Sequence, residues 1–128
     1  MIKILKISSG EEIVGELIPS QTNIIIKKPM VIVYRYHPMS TFPSVKLVKY
    51  MLFSKDENFR FSHLDVINIT DAKESFIEYY FHVINCLGDE VDKNIDSELR
   101  EAIKADKQIK DRFYSHLLEQ MPVPENLN

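Results

Sequence analysis

The sequence predicts a small, mainly β domain of about five short strands in a barrel or sandwich arrangement, followed by two helices. Three observations carry that expectation. Apolar, β-branched runs recur at short, even spacing over residues 1–70, with turn residues between them. At Thr70 the hydrophobic period changes from two to that of a helix. A chain of 128 residues is long enough to bury one core without staples and too short for a second full-sized domain. The expected division is 1–70 for the strands and 71–128 for a helical extension packed on them, one compact domain overall.

Each element has its own justification. Ile2 to Ile7 is apolar at Ile2, Ile4, Leu5 and Ile7, and Ser8-Ser9-Gly10 ends it with turn chemistry. Glu12 to Ile18 supplies Ile13, Val14, Leu17 and Ile18 before Pro19 to Asn23 closes the strand. Ile24-Ile25-Ile26 opens a third run that Pro29 interrupts. Because proline donates no ladder hydrogen bond, Met30 to Tyr36 is either a continuation past a bulge or an edge segment. His37 to Ser44 is loop. Val45 to Phe53 alternates and then becomes wholly apolar through Met51, Leu52 and Phe53, the pattern of a strand buried at one end. Phe59 to Ile69 resumes after the turn at Ser54 to Asn58.

Asp71 followed by Glu74 is an acidic variant of a capping box, and Phe76, Tyr79, Tyr80, Val83, Ile84 and Leu87 recur at helical spacing until Gly88 supplies a stop. A polar bridge, Asp89 to Ile95, leads to a second helix capped near Asp96 or Ser97. Its thin apolar stripe comprises Leu99, Ala102, Ile103, Ile109, Phe113 and Leu117, and the helix ends before Pro122.

Composition excludes collagen-like, coiled-coil and disordered classes for the chain as a whole. No apolar run approaches the roughly 20 residues that cross a bilayer. The lone Cys86 makes no internal disulfide, and Met1 to Ile7 is too short for a signal-peptide core, so the expected location is a reducing cytoplasm. Charge is uneven. Residues 1–70 carry nine Lys or Arg against six acids, a net of +3, and residues 71–128 carry seven against thirteen, a net of −6. A +3 patch is a mild signal for a polyanion.

At the first two strands the letters become specific. Ile7-Ser8-Ser9-Gly10-Glu11-Glu12-Ile13-Val14-Gly15-Glu16-Leu17 resembles the first motif of the Sm-like family: apolar, two spacers, Gly, two spacers, apolar, one spacer, Gly, one spacer, apolar. Gly10 suits the positive-φ position of a tight turn, and Gly15 lets the second strand bend. Asn23 before Ile24-Ile25-Ile26 fits the position that in that family lies in the loop receiving a nucleobase. Val66-Ile67-Asn68-Ile69 resembles the family's closing strand, but Ser62-His63 stands where the family has Arg-Gly, so the cation that clamps the base is missing. The family's N-terminal helix is absent and two helices follow the last strand. Chains trimmed and extended in this way resemble a phage-type and marine environmental group, which would place the protein in a host cytoplasm.

The resemblance implies a strongly bent five-stranded Sm-like barrel, rings of six or seven subunits closed by pairing between strand edges, and non-catalytic binding of RNA or single-stranded DNA in nucleic-acid processing. Edge pairing in a closed ring satisfies every exposed backbone edge at once. The candidate contacts are Asn23, Lys27, Lys28, Tyr34, Arg35, Lys49, Arg60 and His63, with Tyr36 and Phe42 as further stacking surfaces.

Plainer readings stand beside these. Asn23 also suits a turn cap, and His63 a partly exposed polar surface. Tyr79-Tyr80-Phe81 is more simply core packing than a stacking platform. His37, His82 and His116 share no metal-ligand spacing with one another or with Cys86, and Cys86, four residues after His82, is better explained as a small buried hydrophobe than as a nucleophile. No P-loop, nucleophile elbow or dinucleotide fingerprint occurs, so no cofactor and no enzyme are expected. The competing expectation is an assembly module that oligomerises through the strands and docks a protein partner through its C-terminal helices.

Overall fold

The structure, a computed structural model, describes residues 1–120, with the side chains of all of these except 86–92 and 120. It is a mixed fold, an antiparallel sheet of six strands followed by helix. The strands are β1 (Ile2–Ile7), β2 (Glu12–Ile18), β3 (Ile24–Arg35), β4 (Ser44–Lys49), β5 (Asn58–Phe61) and β6 (Val66–Asp71), and the helix is α1 (Glu74–Gln120). Helical residues run through Gly88 and the expected bridge at 89–95 without a break. The chain divides there into two compact units, Met1–Gly88 and Asp89–Asn128. The expected helix end before Pro122 lies outside the described residues.

β1 and β2 form the hairpin that the sequence anticipates. Gly10 donates to the Ile7 carbonyl at 2.9 Å with φ at +95°, and Ile7 donates to the Glu11 carbonyl at 3.0 Å. A Cβ on Gly10 would meet nothing within 4 Å, so only the backbone conformation asks for glycine. Gly15 is different. A Cβ there would lie 2.3 Å from Ile26 Cγ2, 3.1 Å from the Lys27 carbonyl and 3.2 Å from Pro29 Cα. Its role is to let β3 approach closely.

That approach is caused by a bulge. Val14 pairs with Met30 and Glu16 with Lys27, so Gly15 alone opposes both Lys28 and Pro29. Lys28 has φ at +49°, and the Pro29 ring removes a donor that the ladder would otherwise use. β3 therefore continues through Pro29, the first of the two alternatives left open for Met30 to Tyr36. The disturbance crosses to the next strand. β4 pairs with the second half of β3, from Arg35↔Ser44 to Met30↔Lys49, and β5 with the first half, from Lys27↔Asn58 to Ile24↔Phe61. Residues 50–57 leave the ladder opposite the bulge, tied back where Lys28 donates to the Glu57 carbonyl at 2.7 Å and Tyr50 to the Pro29 carbonyl at 3.1 Å.

This corrects three expectations. The sheet has six strands, because the run from Phe59 to Ile69 turns at 62–65 and supplies both β5 and β6, while the fourth run stops pairing at Lys49 opposite the bulge. Met51 and Phe53 are exposed in that excursion with Leu52 half-buried between them, and Met51 has φ at +48°, so the apolar end of the fourth run is not the buried strand end expected. The sheet is not closed into a barrel. Its order is β4-β3-β2-β1-β6 with β5 also on β3, and no ladder joins β6 to β4 or β5, because β6 pairs with β1 alone.

Both faces of the sheet are apolar. Leu5, Ile7, Ile13, Ile24, Ile26 and Phe61 form one buried cluster, with Tyr50 edge-on to Phe59 at 5.4 Å beside it. Ile2, Val14, Ile32 and Leu47 form the other with Tyr80 and Val83 of α1. Tyr80 is thus core, as its helical spacing after Phe76 suggests. Its hydroxyl donates to the Lys28 carbonyl at 2.7 Å, with the Lys27 carbonyl at 3.3 Å, so the helix covers the bulge's exposed acceptors. Burial, with the Glu16 charge second, pushes the Tyr80 phenol up from its ordinary value. Tyr80→Phe should leave these acceptors unpaired at the cost of about 1–2 kcal/mol, read from denaturant unfolding.

Asp71, expected to cap the helix, lies in β6 and is ion-paired with Lys3 across the β1–β6 ladder. The helix starts at Glu74, and the first-turn bonds run from Phe76 and Ile77 to the Lys73 carbonyl, each at 2.9 Å. Among the described residues no helix is long and apolar enough to cross a membrane.

Candidate nucleic-acid interface

The β2–β3 loop and the β5–β6 loop meet. Extending the β3–β5 ladder past Ile24↔Phe61 sets Asn23 opposite Ser62 and Thr22 opposite His63. The last step is made by a side chain: His63 Nε2 donates to the Thr22 carbonyl at 3.1 Å. A carbonyl only accepts, so Nε2 is the donor in this bond. Asn23 is half-buried beside this bond. Its backbone N–H donates to Ser20 Oγ at 3.3 Å and its Nδ2 to Thr22 Oγ1 at 3.2 Å. The turn-cap role and the proximity to His63 therefore coexist in one residue.

Alternation places the other candidates. Ile24 and Ile26 enter the core, so Asn23, Ile25 and Lys27 share the opposite face of β3. Arg60 pairs with Ile25 on that face and is exposed, one step along the strand from the loop cluster. Lys27 is farther along and pairs with Glu16, so an acid of the neighbouring strand faces its charge. Lys28 is exposed at the bulge, and Lys49 Nζ donates to the Ser54 carbonyl at 3.3 Å at the start of the excursion.

Tyr34, Arg35, Tyr36 and Phe42 belong to the far end of the sheet, where β3 turns into β4. Tyr34 and Tyr36 stack with centroids 6.5 Å apart, and Tyr36 and Phe42 are largely exposed. The Tyr34 hydroxyl donates to Glu12 Oε2 at 2.5 Å, and this bond, with partial burial and the Glu12 charge, pushes the phenol up to about 12. The native state then holds its proton more tightly than the unfolded chain, so this contribution is complete below pH 10 and disappears as pH rises towards 12. Tyr34→Phe should flatten the alkaline limb of the melting profile over that window, measured by thermal scans at stepped pH.

The eight candidates thus do not form one patch. Asn23, His63 and Arg60 come together, Lys27, Lys28 and Lys49 lie around the bulge, and Tyr34 and Arg35 stand at the hairpin end. Two features of the loop cluster escaped sequence reasoning. The Thr22 main chain is the point of contact, for which a sequence carries no signal. Leu64 is 93% exposed between His63 and Asp65, an apolar residue in a four-residue turn whose position is itself a signal.

Elsewhere in the first unit an open apolar cavity of about 470 Å3 is lined by Met1, Ile2, Ala72, Ile77 and Phe81, with Glu16 and Asp71 at its polar margin. Among the described residues no group of three His, Cys, Asp or Glu is placed to hold a metal ion. No family model matches the chain, and no curated protein matches it.

Proposed function

We propose that this is a non-catalytic, ring-forming protein of Sm-like type that binds RNA or single-stranded DNA through its β2–β3 and β5–β6 loops. The observation that carries the reading is the bond from His63 to the Thr22 carbonyl, which joins two loops into one polar surface holding Asn23, the His63 ring and the exposed Leu64. Such a surface offers donors and acceptors to a base edge and an apolar face for stacking, with Arg60 one step away for a phosphate. Clustering in the folded chain favours Asn23, His63 and Arg60 over the scattered lysines as the primary contacts.

Assembly has its own support. β6 and the β4–β5 edge each pair on one side, and Ile67 of β6 and Val45 of β4 are exposed. Pairing of one copy's β6 with the next copy's β4 is head-to-tail and closes into a ring, which removes both edges. The bulge opposite Gly15 supports the strong bend of the sheet that such packing needs. A ring repeats Arg60 and the loop cluster around one axis, so a weak site in each protomer becomes multivalent.

The alternative is an assembly module without a nucleic-acid ligand, favoured by the exposed apolar residues Ile103, Ile109 and Phe113 of the second unit. Titration with a fluorescent mixed-sequence oligonucleotide separates the two. Asn23→Ala with His63→Ala should weaken binding about tenfold or more, whereas unchanged binding counts against the loop site.

A further inference from the structure

The helical part of the second unit has a hydrophobic repeat tighter than a general apolar stripe. Ile95, Leu99, Ala102, Ile109 and Phe113 fall on alternating steps of four and three residues, with Asp106 completing the series between Ala102 and Ile109. This is a heptad, with Leu99, Asp106 and Phe113 at the first core position and Ile95, Ala102 and Ile109 at the second. Leu99, Ile109 and Phe113 are exposed, although a seam of this kind specifies a facing helix. Asp106, the one acid in it, is bridged at 3.4 Å by Lys110, one turn on.

We infer that this segment pairs antiparallel with the same segment of a second copy, about a two-fold axis at Lys104. The charges beside the seam select the partner. In an antiparallel pair each core position meets the other type on its partner, so centring on residue 104 sets Leu99 against Ile109, Ala102 against Asp106, and Ile95 against Phe113. The large apolar residues then face one another, and the seam's acid faces its smallest residue. On one flank the same register brings Asp96 to Lys110 and Ile103 to Ile103. On the other it brings Glu98 to Arg112 and Ala105 to Ala105.

Within residues 95–113 each flanking contact is an opposite-charge pair or an apolar pair; the two charge pairs occur twice by symmetry, and Ile103 and Ala105 each meet their own copy on the axis, which is the self-complementarity of a two-fold interface. A parallel pair would instead set Glu98 against Ile103, Ala105 against Lys110 and Arg112 against Leu117, with no charge matched. An unrelated partner gives no reason for charges to be symmetric about residue 104. Combined with a head-to-tail ring, this contact would hold two rings together; without one, it yields a simple dimer.

The test is the mass of the full chain by light scattering. Lys110→Glu with Arg112→Glu should halve whatever mass the unaltered chain shows, and adding Asp96→Lys with Glu98→Lys should restore it. The expected factor of two holds whether the starting particle is a pair of rings or a dimer, so loss of the ring reading does not mask this result. Orientation is read from spin labels in a Cys86→Ser background. A label at Ala105→Cys should lie within about 20 Å of its mate, and one at Leu118→Cys about 40 Å from its mate, from the helical rise of 1.5 Å per residue. An unchanged mass after charge reversal, no restoration by the second pair of changes, or short distances at both labels would overturn the proposal.

Discussion

Gly15→Val is expected to abolish stable folding of the sheet, with a loss of at least about 3 kcal/mol. Overpacking a core by a methyl or two costs typically 1–3 kcal/mol when neighbouring side chains can move. Here only Ile26 Cγ2, at 2.3 Å from the added Cβ, belongs to a side chain; the Lys27 carbonyl and Pro29 Cα, at 3.1 and 3.2 Å, are backbone held by the bulge. The Lys27 carbonyl also lies 3.3 Å from the Tyr80 hydroxyl, and that hydroxyl donates to the Lys28 carbonyl next to it, so displacing this backbone also strains the helix's attachment. Gly10→Ala is the control. With open space around it and only φ at +95° to oppose a side chain, it should cost about 1 kcal/mol. Urea unfolding of both variants checks the contrast, and equal losses would show that close approach is not what Gly15 provides.

The second large effect concerns the ligand. Changing Asn23, Arg60 and His63 together to alanine should weaken oligonucleotide binding by roughly 100-fold, about 2.7 kcal/mol, at low salt. The components should separate by their salt dependence. If Arg60 meets a phosphate as proposed, Arg60→Ala should lower the slope of log affinity against log salt. If Asn23 and His63 meet bases as proposed, Asn23→Ala with His63→Ala should leave that slope unchanged. Lys27→Glu with Lys28→Glu should do less than the Arg60 change, because Lys27 already faces Glu16 and neither lysine adjoins the loops. A larger effect from the lysine pair would move the interface to the bulge.

Much of the local structure was legible in the sequence, and what escaped it is non-local. The first hairpin follows from Ile2 to Ile7, the Ser8-Ser9-Gly10 turn and the run to Ile18, because turn chemistry and β-branched runs act within a few residues. Pro29 announced either a bulge or an edge, and the choice between them is made by β2, where Gly15 has room for two residues opposite one. The early end of the fourth run at Lys49 follows from that same bulge in the neighbouring strand, so Met51 and Phe53, apolar in sequence, gave a misleading sign of burial. Asp71 has a capping residue's chemistry, yet Lys3 on the adjacent strand claims it.

The candidate site divides in the same way. Asn23 and His63 were identifiable as positions in a motif, and their meeting depends on a register that only the fold sets. Tyr34 was identifiable as a stacking surface, but its hydroxyl is committed to Glu12, 22 residues earlier in the chain. The lysines were grouped by charge alone, and alternation along β3 distributes them to different surroundings.

The function proposed for this protein turns on whether its joined loops bind single-stranded nucleic acid. The most direct measurement is size-exclusion chromatography with light scattering on the full chain, alone and with a mixed-sequence single-stranded oligonucleotide, at low salt and then at increasing salt. The expected result is a ring-sized particle that carries the oligonucleotide at low salt and releases it steeply as salt rises. A particle that excludes the oligonucleotide at low salt, or holds it regardless of salt, would rule out the proposed loop site.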